Sequence, residues 1–211
     1  MKNAEHHFGG SDISHIFDEK ERCRDKLRGI MAHISTDEHL AWSHSACIHL
    51  HAFISEWIST HTGGVLVYCS KFPELDTSLL INSLLTDQIS LIVPIIQQSD
   101  ISLRLSYLTS ASSLVCSTFQ VPEPIGSEIP ARPEDVSICI VPMLGFSENG
   151  SRIGYGKGYY DRFLHQYSHI YKVGLAFSCQ RCDEIPVTTD DIRMDLIITE
   201  HGIVLDSLKF V

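Results

Sequence analysis

The amino-acid sequence has no long hydrophobic run. None of its segments approaches the roughly 18 consecutive apolar residues that a membrane-spanning helix needs. Hydrophobic residues make up 44% of the 211 residues and charged residues 20%, which is ordinary for a soluble globular protein. Residues 1–17 contain one lysine, several histidines and no apolar stretch of the kind found in a secretory signal. We therefore expect a cytoplasmic protein with no membrane partner.

Positive charge is also scarce. The sequence has 16 lysine and arginine residues against 26 aspartate and glutamate residues, so its formal net charge is −10. Nucleic acids and anionic membranes are bound by strongly basic surfaces, and this composition argues against both as partners. An anionic ligand would have to be held by a local cluster of positive groups.

Cysteine is present, but not in the pattern of a disulfide framework. The seven cysteines are an odd number, and several lie inside apolar segments, as Cys139 does between two isoleucines. Cys179 and Cys182 have the C-x-x-C spacing of a redox or zinc pair, but no second such motif and no metal-spaced histidine pair accompanies them. We favour reduced core thiols over a functional role for this pair.

Helical periodicity begins at Asp18, after a polar segment that we predict to be a flexible arm over residues 1–17. Residues 18–211 are expected to form a single domain. Ser35-Thr36-Asp37-Glu38 is a capping-box signature, so a long amphipathic helix is expected from there to the glycines at 63 and 64. Shorter helices are expected over Thr77–Leu85 and Tyr159–Tyr167.

Short β-branched runs between these helices predict buried strands. The segments Leu103–Leu108 and Leu114–Cys116 suggest a hairpin, and the proline-containing segment Val121–Pro124 suggests an extended loop. Strands that alternate with helices predict a mainly parallel sheet covered on both faces, which is a three-layer α/β/α fold. The buried strands are predicted at Val65–Cys69, Ser90–Ile96, Val136–Pro142, Lys172–Phe177 and Leu196–Thr199, with an edge strand at Ile203–Leu205.

Residues 149–164 carry much of the sequence's potential chemistry. Their four glycines let a backbone approach a ligand closely, the basic side chains of Arg152 and Lys157 can neutralise phosphate, and one carboxylate can hold Mg²⁺. The segment follows a predicted parallel strand and precedes a predicted helix, and both positions favour phosphate. Its Gly154-x-Gly156-x-Gly158 spacing matches neither the dinucleotide fingerprint nor the P-loop. On spacing alone, a flexible turn with an incidental lysine is the alternative.

Motifs along most of the chain match one enzyme family. Pro142-Met-Leu-Gly-Phe146, followed by Gly150-x-Arg152-x-Gly154-x-Gly156-x-Gly158-Tyr159-Tyr160-Asp161, resembles the signature of the 5-formyltetrahydrofolate cyclo-ligases, also called methenyltetrahydrofolate synthetases. The resemblance extends from Lys20 to Thr199. Further matches in family order are Lys20-x-x-x-Arg24, Glu74-Leu75-Asp76-Thr77, Pro122-Glu123-Pro124 and Met194-Asp195.

The resemblance implies a reaction, its substrates and a metal. Members of the family convert 5-formyltetrahydrofolate and ATP to 5,10-methenyltetrahydrofolate, ADP and phosphate, and they use Mg²⁺. The implied route phosphorylates the formyl oxygen and then closes the ring through the folate nitrogen N10. The expected partners are therefore these small molecules. The implied fold is Rossmann-like, resembling the NagB/RpiA/CoA-transferase-like architecture, and a monomer is expected.

The same resemblance assigns roles to individual residues. Lys157, Arg152 and Glu74 would be catalytic, and Asp161 and Asp195 would bind the metal. ATP would be bound by Lys20, Arg24, Arg152, Ile153, Gly154, Tyr155, Gly156, Lys157, Gly158, Tyr159 and Tyr160. The folate would be bound by Cys69, Glu74, Phe146, Tyr155, Gly156, Lys157, Gly158 and Tyr159.

Without the resemblance, each assignment has an ordinary alternative. Lys20 and Arg24, at i and i+4, also suit a solvated basic helix face. Asp161 suits a helix N-terminus, Asp195 a turn or cap, and Phe146 an ordinary core position. The alternative functions are a related α/β protein acting on sugar phosphates or acyl-CoA, and a non-enzymatic nucleotide or folate binder. The full set of charge-neutralising groups favours the enzyme, because a pure binder does not need all of them.

Overall fold

The structure is a computed structural model that describes the backbone of residues 10–207 and the side chains of residues 15–207. Its helices are α1 (Gly10–Met31), α2 (Thr36–Thr60), α3 (Ser78–Thr86) and α4 (Tyr159–Gln166). Its strands are β1 (Gly64–Leu66), β2 (Leu91–Gln97), β3 (Ser102–Tyr107), β4 (Val115–Cys116), β5 (Pro122–Glu123), β6 (Ile129–Ala131), β7 (Val136–Pro142), β8 (Gly145–Phe146), β9 (Arg152–Ile153), β10 (Tyr171–Leu175), β11 (Leu196–Thr199) and β12 (Gly202–Asp206).

Of the two long helices, α2 begins where the local sequence predicts and α1 does not. Helix α2 begins after a complete capping box: the Glu38 amide donates to the Ser35 hydroxyl at 3.2 Å, and the Ser35 amide donates to the Glu38 carboxylate at 3.0 Å. Helix α1 begins at Gly10, eight residues before the predicted onset at Asp18. The predicted flexible arm over residues 1–17 therefore overlaps a helix, and residues 1–9 lie outside the described part of the chain. None of the described helices is long and apolar enough to cross a membrane.

Eight strands form the central sheet in the order β12-β11-β10-β7-β1-β2-β3-β6. The five inner strands from β11 to β2 pair in parallel, whereas β12, β3 and β6 pair antiparallel at the two edges. Short turns join the antiparallel neighbours β2 and β3, and likewise β11 and β12. Each inner parallel pair needs a longer crossover connection. The predicted mainly parallel sheet is confirmed.

The predicted hairpin between Leu103–Leu108 and Leu114–Cys116 is wrong. Strand β3 pairs on one side with β2 and on the other with β6, so both of its edges are occupied. Strand β4 pairs instead with β5 in a separate two-stranded ladder, and β5 lies in the segment Val121–Pro124 that was predicted as extended loop. Hydrophobic alternation predicts that a segment is a strand, but it does not identify the partner strand.

Each face of the sheet has its own hydrophobic core. On β7, Ile138 and Ile140 pack into the cluster that contains residues of α1, α2 and α3. Cys139 and Val141 point to the other face and pack with Phe163 of α4. The alternation along a fully buried strand produces the three-layer α/β/α arrangement. The predicted fold class is confirmed.

Candidate active site at the carboxyl edge of the sheet

A cavity of about 830 Å³ opens where several parallel strands end. Its walls include Cys69, which follows β1, Ile96 on β2 and Pro142 at the end of β7. Open α/β sheets bind ligands at this edge. The chain segment Gly154–Gly158, here called the glycine loop, also lines the cavity, as the position of its motif after β7 predicted.

Helix α1 presents two cations to this cavity. The Lys20 side chain is 9% exposed and the Arg24 side chain 14%, whereas Arg28 is 48% exposed. Lys20 and Arg24 line the cavity, so the solvated basic face of α1 is formed by other residues, among them Arg28. The Nε of Arg24 donates to the carbonyl oxygen of Gly154 at 3.0 Å, which joins α1 directly to the glycine loop.

Lys20 has a carboxylate partner that the motifs did not indicate. Its ammonium group lies 2.5 Å from the carboxylate of Asp191, which also lines the cavity. Burial raises the pKa of Asp191, but hydrogen bonds from Lys20 and Thr188 outweigh that effect and leave it below its usual value. Asp191 lies 171 residues from Lys20, and only the fold reveals their contact.

The glycine loop needs glycine for backbone reasons. Gly156 has φ of 102° and Gly158 has φ of 73°, both in the left-handed region that residues with a Cβ rarely adopt. Gly158 is the N-cap of α4, so the first amides of that helix face the same region as the loop. Lys157 stands exposed between the two glycines and lines the cavity. It makes no hydrogen bond or ion pair with any residue that the structure describes.

Arg152 lies beneath the loop and is almost fully buried. Its side chain is 4% exposed, and its Nη2 donates to Asp161 at 2.7 Å. The buried Nε has no hydrogen-bond partner among the described residues, and an unpaired buried donor is uncommon outside functional sites. Asp161 also accepts a hydrogen bond from the Ile192 amide at 3.2 Å. Both residues line the cavity, as the motif required.

The other side of the cavity is largely apolar, with the carboxylate of Glu74 and the side chain of Lys71. Burial raises the pKa of the Cys69 thiol to about 12, so this side chain supplies apolar contact rather than charge. Burial also raises the pKa of Glu74, whose Oε2 accepts a hydrogen bond from the Lys71 amide at 3.0 Å. The Tyr155 hydroxyl is buried and lacks a partner in the described structure. This wall suits a flat, largely apolar ligand that carries N–H donors.

The structure does not place Phe146 in the cavity. Its side chain is fully buried and packs in the same core cluster as Phe163 and Met194. Phe146 is therefore an ordinary core aromatic, which was the alternative assignment, and not a residue that lines the folate pocket. A fully buried ring that does not line the cavity has no surface to offer a ligand.

The structure also separates Asp195 from the cavity. Asp195 immediately precedes β11, so it lies at the amino edge of this parallel strand, whereas the cavity lies at the carboxyl edge. Its carboxylate contacts Lys172 twice, accepting from the backbone amide at 2.9 Å and pairing with the ammonium group at 2.8 Å. The predicted metal role of Asp195 is corrected to a structural contact between β10 and β11.

The cavity offers two carboxylates that could take part in holding a metal ion. The described residues contain no cluster of three or more histidine, cysteine or carboxylate side chains that could hold an ion alone. Asp161 and Asp191 both line the cavity, and Mg²⁺ typically combines one or two carboxylates with substrate phosphates and waters. The donor set therefore fits a phosphate-bridged Mg²⁺.

Comparison with known proteins gives consistent relatives. The model of the 5-formyltetrahydrofolate cyclo-ligase family matches residues 16–200. The mitochondrial 5-formyltetrahydrofolate cyclo-ligase of Arabidopsis thaliana is 25% identical over 92% of this chain and 78% of its own length. The 5-formyltetrahydrofolate cyclo-ligase of Escherichia coli is 33% identical over 67% of this chain and 79% of its own.

Solved structures agree with this result. The 5,10-methenyltetrahydrofolate synthetase of Aquifex aeolicus superposes with a TM-score of 0.75 at 30% identity, covering 87% of this chain and 91% of that one. The synthetase of Mycoplasma pneumoniae shares the fold, with a TM-score of 0.67 at 22% identity over 86% of this chain and 99% of that one. The chain therefore belongs to the 5-formyltetrahydrofolate cyclo-ligase family of enzymes.

Proposed function

We propose that the chain converts 5-formyltetrahydrofolate to 5,10-methenyltetrahydrofolate in a reaction that uses ATP and Mg²⁺ and releases ADP and phosphate. One observation carries the proposal: a single cavity joins an edge that is rich in positive groups to a largely apolar pocket that contains a glutamate. The positive edge contains Lys20, Arg24 and the glycine loop, and the pocket contains Cys69 and Glu74. Membership in the family supports synthetase activity with ATP as co-substrate.

The chemical difficulty lies in the formyl group, because the oxygen of a formamide is a poor leaving group. In the proposed route, this oxygen attacks the γ-phosphorus of ATP and ADP leaves. The folate nitrogen N10 then attacks the formyl carbon and closes the ring, and phosphate departs with the former formyl oxygen. N10 loses its proton as the product forms. Such chemistry depends mainly on positioning and on neutralising negative charge.

Three cationic side chains would neutralise the phosphates. Lys20 and Arg24 approach from α1, and Arg152 approaches from beneath the glycine loop. We assign to Lys157 the role of following the transferred phosphoryl group, because its ammonium group is exposed at the cavity and has no partner in the described structure. The loop amides and the N-terminus of α4 supply further positive dipole ends.

Glu74 is the proposed anchor of the pterin ring. One of its carboxylate oxygens already accepts the Lys71 amide, while the other makes no hydrogen bond to a described residue. An ionised carboxylate only accepts hydrogen bonds, and the pterin ring presents N–H groups along one edge. Cys69 and Tyr155 would pack against the ring system beside it.

Two carboxylates in the cavity are the proposed ligands of Mg²⁺. Asp161 and Asp191 would hold it together with ATP phosphate oxygens. The bound ion would offset negative charge on the phosphates during transfer. In the described structure each carboxylate instead pairs with a cation, Asp161 with Arg152 and Asp191 with Lys20.

The deciding experiment follows the absorbance of the methenyl product in the long-wavelength ultraviolet. Purified protein is mixed with 5-formyltetrahydrofolate, ATP and Mg²⁺, and matched reactions omit ATP or the metal. Product is expected only in the complete mixture. If folate or ATP binds but no ATP-dependent product forms, the enzymatic proposal is wrong and a non-enzymatic binder is favoured.

We also propose a monomer that works in the cytoplasm on small molecules alone. The plant relative is named as mitochondrial, so location within the cell needs its own measurement. Size-exclusion chromatography with light scattering tests the monomer, and cell fractionation tests the location. A stable dimer or an organelle-bound pool would contradict the respective statement.

A further inference from the structure

Helix α4 carries two exposed side chains that the proposed reaction does not use. Arg162 and His165 both line the cavity. They are three residues apart, so they lie on one face of the helix. Neither side chain makes a hydrogen bond or an ion pair with a residue that the structure describes. The cavity therefore presents N–H donors that have no assigned ligand.

The other cationic side chains of the cavity are already engaged or assigned. Ion pairs with carboxylates hold Lys20, Arg24 and Arg152. The ammonium group of Lys71 donates to a backbone carbonyl oxygen at 3.1 Å. Lys157 is assigned to the transferred phosphoryl group. Any further anionic group of the substrates would have to be held by the two side chains on α4.

The remaining anionic groups of the proposed substrates are the two carboxylates of the glutamate tail of folate. A helix rises about 1.5 Å per residue, so Arg162 and His165 are offset by about 4.5 Å along α4. Two carboxylates on one glutamate can bridge this span. A guanidinium binds a carboxylate through two parallel hydrogen bonds, and a histidine ring offers at least one N–H donor. The pair therefore matches the tail in number and in spacing.

An apolar wall lies beside these two side chains. Ile96 on β2 and Leu103 on β3 are partners across the sheet, and both line the cavity. Helix α4 packs against β3. In folate, a benzoyl ring separates the pterin from the glutamate, and an apolar wall suits such a ring. The cavity thus offers the tail an apolar surface that adjoins α4.

We propose that Arg162 and His165 form a carboxylate-binding subsite for the glutamate tail of the folate, an inference that rests on the proposed function. The competing ligand is a phosphate of the nucleotide, because a Cβ built on Gly158 of the glycine loop would lie 4.0 Å from the Nε of Arg162. The position of His165 favours the tail. It lies almost one helical turn further from the loop, and a phosphate held at the loop would engage Arg162 without it.

The proposal is tested by calorimetric titration of the full chain with 5-formyltetrahydrofolate and with its dimethyl ester, in which both tail carboxylates are uncharged. An exposed ion pair contributes up to about 5-fold in affinity. Wild-type protein should therefore bind the acid about 10-fold more tightly than the ester. Arg162→Ala and His165→Ala should each reduce this preference, and the double variant should bind the two ligands about equally.

Arg193→Ala and His169→Ala are the matched controls, because both residues are exposed and neither lines the cavity. Both controls should keep the preference for the acid. An unchanged preference in the double variant, or an equal loss of affinity for acid and ester, would overturn the proposal. So would weaker binding of the imido analogue of ATP with Mg²⁺ by Arg162→Ala, because the partner of Arg162 would then be a phosphate.

The tail preference is measured without turnover, so it is independent of the proposed reaction. A wild-type protein that prefers the acid but forms no ATP-dependent product would support the subsite and refute the reaction. Product formation without any preference for the acid would refute the subsite and leave the reaction in place.

Discussion

Replacing Lys157 with alanine separates chemistry from folding more cleanly than other changes in the cavity. The side chain is exposed, stands between two glycines and contacts no described residue through a hydrogen bond or an ion pair. An exposed substitution of this kind changes the free energy of unfolding by no more than about 0.5 kcal/mol. The fold should therefore persist, and any loss of activity would report on the missing ammonium group.

The expected loss follows from the negative charge that Lys157 would neutralise in the transition state. Removing one donor that stabilises developing charge lowers kcat by about 100- to 1000-fold, or about 2.7–4 kcal/mol of transition-state stabilisation. Lys157→Ala should fall in this range, with a smaller change in the KM for ATP because Lys20, Arg24 and Arg152 remain. Lys157→Arg keeps the charge and should recover part of the rate.

The assay is formation of the methenyl product at saturating ATP and folate, with thermal unfolding measured on the same samples. Lys26→Ala is the matched control, because Lys26 is an exposed lysine on α1 that does not line the cavity. An unchanged kcat in Lys157→Ala would remove Lys157 from the mechanism. A loss of rate that equals the loss in the control, or that follows a drop in stability, would refute the reasoning as well.

Three further predictions use the same assay or simple stability measurements. Glu74→Gln should raise the KM for folate by about 10-fold or more, because hydrogen bonds to a charged acceptor contribute about 1.5–3 kcal/mol, and a change confined to the KM for ATP would contradict the assignment. Asp161→Asn should raise the Mg²⁺ concentration needed for half-maximal rate. Asp195→Asn should lower thermal stability and leave that concentration unchanged. If Asp195→Asn instead raises the required Mg²⁺ concentration and Asp161→Asn does not, the metal role of Asp195 is restored. Since the folded-state pKa of Asp191 is lowered, its stabilising contribution is present above its unfolded-state pKa and is lost as the pH falls through the folded-state pKa. Asp191→Asn should thus be less stable than wild type in urea unfolding at pH 7, and the difference should shrink as the pH is lowered below the ordinary pKa of an aspartate; a pH-independent difference would contradict this account.

Local patterns were sufficient to predict much of the fold. The capping box at Ser35 determines where α2 begins, and the apolar run at Val136 determines a buried strand, since each depends on residues that are neighbours in sequence. Strand partners depend on contacts between distant segments, which explains the wrong hairpin at Leu103. Helix α1 extends back to Gly10 through a polar stretch that has no apolar periodicity to reveal it.

The site residues also differ in whether the sequence could predict them. The residues of the glycine loop were found because their motif is continuous. Lys20 and Arg24 were assigned from the family resemblance, because their helical spacing alone also suits a solvated basic face. Asp191 and Asp195 are four residues apart, yet one faces the cavity and the other lies at the opposite edge of the sheet. The segment between Asp191 and Asp195 decides which of the two carboxylates faces the cavity, and no local sequence pattern describes that segment.

The charges around the cavity explain how a protein of net charge −10 can bind a polyphosphate. Lys20 and Arg152 are each held in place by one carboxylate and are largely shielded from solvent, so their positions are fixed before any ligand enters. Buried charges without partners would be costly, and carboxylate partners remove that cost while the cavity is empty. An entering triphosphate would compete with Asp161 and Asp191 for the same cations. Carboxylates displaced in this way need another positive partner, and Mg²⁺ carried by the nucleotide would supply one. The two ion pairs therefore connect nucleotide binding to metal binding, which is why the Asp161→Asn variant should show its effect in the metal dependence of the rate.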